Sequence, residues 1–291
     1  MTNIYTLKTV VLTAVTKAIH AIRDEASCFE REVKENYDPT KDDVVTSADK
    51  RAQELYVEIL GNAFPTYGII GEENGLCKPC AEVDAKIYFT VDPLDGTKAF
   101  ARRQSHGVGT MIGLVKNGEV IVSYIGDINT GEVFGYAGDG AVTRDRFGVE
   151  SVMTTDIVSP LAKQYIMLND PLQNFNPFLN AMIQSVKRGG LFKDYEVAHG
   201  SVGLQLTRLW KGEVGAVMLG SAYDTPWDST PIIGTNRKLG VVSIKIDPKT
   251  GDVEVFEPSL PEKVQKKPYI ELYVHRSKVN EILNWIKTNA K

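Results

Sequence analysis

The sequence predicts an α+β protein in which helices and mostly antiparallel sheets stack in layers. Three observations carry this. Leu7, Val10, Val11, Ala14, Val15, Ala18, Ile19 and Ile22 recur at helical spacing, the pattern of a long amphipathic helix. Apolar runs at 109–115 and 120–124 flank Asn117-Gly118, a dipeptide that closes two-residue hairpins, so these runs pair antiparallel. Helix-like and strand-like stretches then mix along the whole chain, without repeats or low-complexity segments, as in layered α+β folds.

The elements follow in order. The first helix continues as a polar stretch to about Glu35, and Tyr37-Asp38-Pro39 ends it, because the residue before proline avoids the helical region. A charged loop, Lys41-Asp42-Asp43, leads to a second helix. Ser47 caps it, Ala52, Leu55, Tyr56 and Ile59 form its buried face, and Pro65 closes it. Strands follow at 67–70 and 87–91, then the hairpin, then 132–136, ended by Gly138-Asp139-Gly140. A polar stretch at 143–160 reads as irregular. Beyond it the pattern gives a strand at 165–168, helices at 177–186 and 201–210 with Gly212 as a stop, and a strand at 214–219. A helix at 230–239 precedes strands at 241–246 and 253–256, joined by the turn Asp247 to Asp252. A strand at 269–274 and a helix at 278–288 complete the chain. The expected organisation is two halves, 1–150 and 151–291, each α and β.

Composition narrows the function. The 291 residues carry 33 Lys plus Arg against 37 Asp plus Glu, a net charge of −4, which argues against a general nucleic-acid binder. Three cysteines do not make a disulfide framework. No signal peptide and no apolar run of membrane-spanning length is visible. These features predict a cytoplasmic protein that binds neither nucleic acid nor membrane.

The chemistry lies in acidic residues at the ends of apolar runs. Gly71-Glu72-Glu73 follows one strand, and Asp92-Pro93-Leu94-Asp95-Gly96-Thr97 follows the next. Trp227-Asp228 precedes a helix, and Asp49 sits at the start of the second helix. Pro93 fixes the backbone after Asp92, and the turn brings Asp95 back toward the same point. Gly96 permits close approach, and the N–H groups of Gly96 and Thr97 at a helix start suit an anion. Two carboxylates and a phosphate cradle within six residues suit Mg²⁺, which takes hard oxygen ligands. Alone, each motif has an ordinary reading: a capped turn, a solvated Glu pair, a buried Trp beside a helix cap. Their combination and order do not.

In that order the motifs, with Val45-Thr46-Ser47-Ala48-Asp49 upstream and Gly138-Asp139-Gly140-Ala141 and Gly200-Ser201-Val202 downstream, resemble the inositol monophosphatase family over about residues 40–240. The resemblance implies an αβαβα sandwich of the inositol monophosphatase and fructose-1,6-bisphosphatase type, usually a homodimer, and a lithium-sensitive phosphatase with two or three Mg²⁺ ions. Glu72, Asp92 and the Leu94 carbonyl would hold one ion, Asp92, Asp95 and Asp228 a second, and Glu72 would touch a weaker third. Thr97 would orient the attacking water, with Asp49 hydrogen-bonded to it and Glu72 in the catalytic set. Gly96, Thr97, Gly200, Ser201, Ser221 and Asp228 are the implied substrate contacts.

The sequence departs from the inositol pattern where the leaving group is met. Ser221 stands where inositol-specific members carry an acid, and Asp224 could substitute if the loop bends differently. Asn236 to Gly240 replaces the usual Glu-Ala-Gly-Gly. Lys98-Ala99-Phe100 looks closer to histidinol-phosphate phosphatases, or to the 3′(2′),5′-bisphosphate nucleotidases, than to the inositol type. Inositol monophosphate is therefore the default substrate and those two the competitors, with a bisphosphatase activity separable only by a substrate panel. Arg102 and Arg103 could meet a second phosphate or be solvated loop charges. Cys77-Lys78-Pro79-Cys80 could be half a zinc site, a redox pair or an incidental loop. A non-catalytic binding protein is the rival class. Against it, Glu72, Asp92, Asp95, Thr97 and Asp228 are all retained.

Overall fold

The computed structural model describes residues 3–34 and 43–289. Helix α1 spans Ile4–Glu25, with Asn3 as its cap. Strands β1 (Arg31–Lys34) and β2 (Asp43–Thr46) pair antiparallel ahead of α2 (Ser47–Ala63). Then come β3 (Gly68–Gly71), β4 (Cys77–Lys78), β5 (Ile87–Asp95) and the short α3 (Thr97–Ala101). Strands β6 (Gly109–Lys116), β7 (Glu119–Asp127), β8 (Val133–Ala137), β9 (Thr143–Arg146) and β10 (Val149–Val152) complete one sheet. The second part contains β11 (Tyr165–Leu168), α4 (Pro177–Ile183), β12 (Asp194–Val197), α5 (Val202–Trp210), β13 (Ala216–Leu219), β14 (Ala222–Asp224) and α6 (Pro226–Leu239). It ends in β15 (Val241–Ile246), β16 (Val253–Phe256), β17 (Gln265–Lys267), β18 (Ile270–His275) and α7 (Val279–Asn289).

An eight-stranded sheet has the order β10-β9-β8-β7-β6-β5-β3-β4, and a six-stranded sheet the order β12-β11-β13-β18-β15-β16. Most pairs are antiparallel; β3 with β5, and β11 with both neighbours, are parallel. Three apolar clusters separate five layers. The first packs α1 and α2 on one face of the large sheet through Val11, Val15, Ile19, Tyr56, Phe89 and Ile112. The second fills the space between the sheets, where α5 and α6 bring Leu206, Trp210 and Ile232 against Met111, Phe134 and Val217. The third covers the far face of the small sheet with α4 and α7. This is the expected α+β, αβαβα sandwich. The expected border at 150/151 falls inside β10, and α6, from the second half, packs on the sheet of the first. Added side-chain carbons at Gly113 and Gly234 would lie 2.5 Å from Thr230 Cγ2 and Val120 Cγ1, so these glycines permit that close helix–sheet approach.

Four expectations need correction. The first helix stops at Glu25 rather than near 35, since the apolar period ends at Ile22 and residues 31–34 pair with β2 instead; tertiary pairing overrides the weak helical preference of a charged stretch. The expected stop at 37–39, and Lys41 and Asp42, lie outside the described residues. Thr46, not Ser47, caps α2. Leu55 and Ile59 are half-buried, while Ala48, Gln53 and Leu60 complete its buried face. The stretch at 143–160, expected to be irregular, contains the hairpin β9–β10, which extends the large sheet at its edge. All four residues of β10 are exposed, so the strand lacks the alternation that marks a half-buried one.

Candidate active site

Parallel β3 and β5 lie side by side with Gly71 opposite Val91, so both deliver their following residues to one sheet edge. Glu72 and Glu73 leave the first strand, and Asp92 to Asp95 end the second, where its pairing with β6 is bulged. Gly96, at φ +93°, caps α3, and a side chain there would overlap Gly107 O and Ser201 N. This position therefore requires glycine. Asp228 arrives from the other half, in the first turn of α6, where Thr225 caps the helix and donates its hydroxyl to Asp228 Oδ2 at 2.7 Å.

Asp92, Asp95 and Asp228 each offer a carboxylate oxygen to one point, all within 4.8 Å of one another. Their surroundings oppose ionisation. Asp92 is raised well above the ordinary carboxylate range by burial first and then by Glu72, Asp228 and Asp95. Asp228 is pushed up to about 7 by burial and by Asp95. Asp95 is raised by burial against the pull of its hydrogen bonds. Those bonds come from the Ser201 hydroxyl and from the N–H groups of Val202 (3.1 Å) and Gly203 (2.8 Å), the first turn of α5. Asp228 Oδ1 is buried and, apart from the neighbouring Asp92 carboxyl, finds no hydrogen-bond partner among the described residues. Three converging oxygens fit a hard divalent cation.

Glu72 lies close enough to raise Asp92, but its carboxylate accepts from Lys34 Nζ at 2.9 Å, and Glu73 accepts from the same ammonium at 2.7 Å. Burial lowers Lys34, but the two glutamates outweigh it and hold its pKa above the ordinary lysine value. Gln53 anchors Glu73 by two backbone bonds of 2.9 Å. Asp49 is fully buried. Its Oδ2 accepts from the Thr46 N–H and hydroxyl, a capping box, and its Oδ1 accepts from Thr97 Oγ1 at 2.9 Å. Burial raises it to about 6. Thr97 Oγ1 also stands 3.0 Å from the Leu94 carbonyl.

Most of the expected residues thus meet at one place, with three differences. Ser201 is buried and turned onto Asp95. Gly200 packs against the Gly107 carbonyl, and Ser201 N–H donates to that carbonyl at 2.8 Å. Ser221 is exposed and does not line the cavity beside Asp228, whereas Asp224 does. Arg102 turns to Gln104 and Arg103 lies over the Phe29 ring. Cys77 and Cys80 are free thiols. Sequence reasoning missed Lys34, Gln53, Thr225, Lys267 and Glu271. Of these, Glu271 had a signal, an acid inside the apolar run 270–274.

The fold and this cluster define a two-sheet α+β protein with three largely buried carboxylates that converge and could hold a metal ion. The inositol monophosphatase family profile matches residues 5–264, and the chain belongs to that family. It is 37% identical over 105 residues to a Nus factor SuhB of Xylella fastidiosa, covering 36% of each chain. To an inositol-1-monophosphatase of Rhizobium meliloti it is 34% identical over 105 residues, covering 36% of this chain and 38% of the other. These matches span little more than a third of those relatives' length. Among solved structures, an IMPase/NADP phosphatase complexed with NADP and Ca²⁺ superposes with a TM-score of 0.73 at 16% identity, covering 100% of this chain and 98% of the other. The extragenic suppressor protein suhB of Bartonella henselae gives 0.72 at 19%, covering 97% and 99%. At that identity the structures speak for the fold. Among the described residues, no helix is long and apolar enough to cross a membrane.

Proposed function

We propose that this protein hydrolyses a small phosphate monoester with Mg²⁺, inositol monophosphate being the default substrate and histidinol phosphate or a 3′(2′),5′-bisphosphate nucleotide the alternatives. The observation that carries this is the largely buried Asp92–Asp95–Asp228 cluster, in which Asp228 Oδ1 meets only the neighbouring Asp92 carboxyl among the described residues. Asp92, Asp95 and Asp228 would hold one ion, and Glu72, Asp92 and the Leu94 carbonyl another, with a third at Glu72. When bound, the ions would acidify a water and neutralise phosphoryl charge. Glu72 would then exchange Lys34 for a cation.

The chain's own groups do the rest. Thr97 donates its hydroxyl to Asp49, so its remaining lone pairs can accept from the attacking water and aim it. Asp49 is held as acceptor by Thr46. Ser201 and the start of α5 fix Asp95, which makes Ser201 a positioning group rather than a substrate contact. The N–H groups of Gly96 and Thr97 open α3 and can donate to phosphate oxygens. Both halves of the fold supply the site, and the homodimer and cytoplasmic location belong to the same proposal. The test is phosphate release from inositol 1-phosphate, histidinol phosphate, 3′-phosphoadenosine 5′-phosphate and fructose 1,6-bisphosphate, with Mg²⁺, with EDTA and with Li⁺. Metal-dependent, Li⁺-inhibited cleavage is expected. Metal-loaded protein that cleaves none of them sends the reading back to a binding protein.

A further inference from the structure

Helix α2 carries polar side chains on one buried stripe. Asp49, Gln53 and Tyr56 stand four and three residues apart, the spacing that puts helical side chains on one face. All three are buried. Asp49 accepts from Thr97 at the start of α3. The other two reach the strand ends that carry Glu72 and Asp92.

Gln53 grips the corner after β3. Its Nε2 donates to the Glu73 carbonyl at 2.9 Å, and its Oε1 accepts from the Glu73 N–H at 2.9 Å. Gly71 makes room for that amide: a side-chain carbon there would lie 2.6 Å from Gln53 Oε1, so the close approach needs glycine. Glu72 lies between these two residues, and its own N–H donates to the Val91 carbonyl at 3.2 Å. Tyr56 grips β5 through one intermediary. Thr110 is the residue of β6 that faces the β5 bulge, since Asp92 pairs with Met111 and Asp95 with Gly109. Thr110 Oγ1 donates to the Asp92 carbonyl at 3.1 Å. A hydroxyl has a single hydrogen, so in the 2.9 Å contact between Tyr56 Oη and Thr110 Oγ1 the phenol is the donor. A one-way chain results, from Tyr56 O–H to Thr110 O–H to the Asp92 carbonyl, with every member buried. Inside the bulge Asp92 Oδ1 accepts from the Leu94 N–H at 2.9 Å, so the backbone that the chain pins also sets the carboxylate. One helix therefore holds both strand ends.

We infer that Gln53 and Tyr56 are positioning residues for the cation site: from one face of α2 they fix the spacing between the Glu72 corner and the Asp92 bulge, so that acids on two strands arrive already placed for one ion. This rests on the metal-dependent phosphatase reading and adds to it residues that hold the ligands without being ligands. Groups of this kind act through the ligands they orient, and losing one costs about tenfold to a hundredfold in metal affinity.

The experiment measures Mg²⁺ binding by isothermal titration calorimetry, and the melting temperature in EDTA, for the wild type, Gln53→Leu, Thr110→Val and Thr110→Ser. Gln53→Leu frees the Glu73 backbone. Thr110→Val breaks the chain at Asp92 and keeps the shape, while Thr110→Ser keeps the hydroxyl. The Mg²⁺ Kd should rise about tenfold or more in the first two and stay within about threefold of wild type in Thr110→Ser. Tyr56→Phe deletes one oxygen atom and should raise Kd about threefold or more, the size of one neutral hydrogen bond. It decides the matter where Gln53→Leu or Thr110→Val melts below the measuring temperature. A lowered melting temperature with an unchanged Mg²⁺ Kd makes these groups supports of the fold alone and overturns the inference. So does a Thr110→Ser that binds as weakly as Thr110→Val. Wild-type protein that binds no Mg²⁺ fails at the metal-dependent reading instead.

Discussion

The two walls of the cleft are built in different ways. On one side, adjacent parallel strands β3 and β5 end together and hand over Glu72, Asp92, Asp95 and Thr97 from two short motifs. On the other, β14, β17 and β18 contribute Asp224, Lys267 and Glu271 one at a time. Cation chemistry needs several oxygens in a fixed relation, and a strand end followed by a tight turn provides that from contiguous residues. Reading a leaving group takes single donors and acceptors, which any loop near the site can offer. The first wall should therefore govern whether the reaction runs, and the second which ester it accepts.

Substitution on the first wall gives the largest expected effect. Asp95 receives three donors and is one of the three clustered carboxylates. Asp95→Asn replaces an acceptor with a donor in that ring and removes a charge the cation needs. Mg²⁺-dependent phosphate release should fall by about 10³-fold or more, for every ester alike. A loss confined to one ester would move Asp95 to the second wall and break the division.

Next comes Thr97→Val, which keeps the shape and deletes the hydroxyl that Asp49 accepts. Its kcat should drop by about 10²-fold with KM little changed, as expected for a group that aims a proton transfer, and Thr97→Ser should recover most of it. Asp49→Asn combined with Thr97→Val should cost little more than either alone, since the pair acts as a unit. Additive losses would separate the two residues.

A smaller effect falls on stability. Burial raises Asp49 from 3.8 to about 6. For a raised carboxylate the folded state holds the proton more tightly, so the stability it contributes is full below the ordinary value and lost as pH rises through about 6. A shift of this size corresponds to about 3 kcal/mol. In EDTA, urea midpoints should be lower at pH 7.5 than at pH 5, and Asp49→Asn should flatten that slope. Mg²⁺ should restore the neutral-pH midpoint, because it binds the folded state. An EDTA-treated protein that is more stable at pH 7.5 than at pH 5 would contradict the burial of uncompensated acids at this edge.

The same division explains what the sequence discloses. Asp92-Pro93-Leu94-Asp95-Gly96-Thr97 is legible because strand, turn and helix start lie within one short segment. The layered fold is legible because α1 and the β6–β7 hairpin carry strong local periods. Lys34 is not, since its role depends on β1 pairing with β2 and so reaching Glu72, a tertiary event with no local mark. Lys267 is buried only because β17 pairs with β14 across a long separation in the chain. The hairpin β9–β10 escapes notice because an exposed edge strand has no face to bury.

Ser221 and Asp224 give the smallest effect and the sharpest test of the second wall. Counting back from Asp228 places Ser221 at the position of the inositol-type acid, and counting takes no account of the backbone path. That path leaves Ser221 exposed and puts Asp224 in the cavity, 3.6 Å from Lys267. Ser221→Ala should change kcat/KM for any ester by less than about twofold, within the range of surface substitutions. Asp224→Asn should weaken inositol 1-phosphate and histidinol phosphate, whose leaving groups carry hydrogen-bond donors, relative to phenyl phosphate, whose leaving group carries none, by about threefold to tenfold through KM, the size of one hydrogen bond to a charged group only partly shielded from water. If Ser221→Ala is the more harmful of the two, the loop closes differently when substrate is bound, and the wall that reads the leaving group is set by sequence position after all.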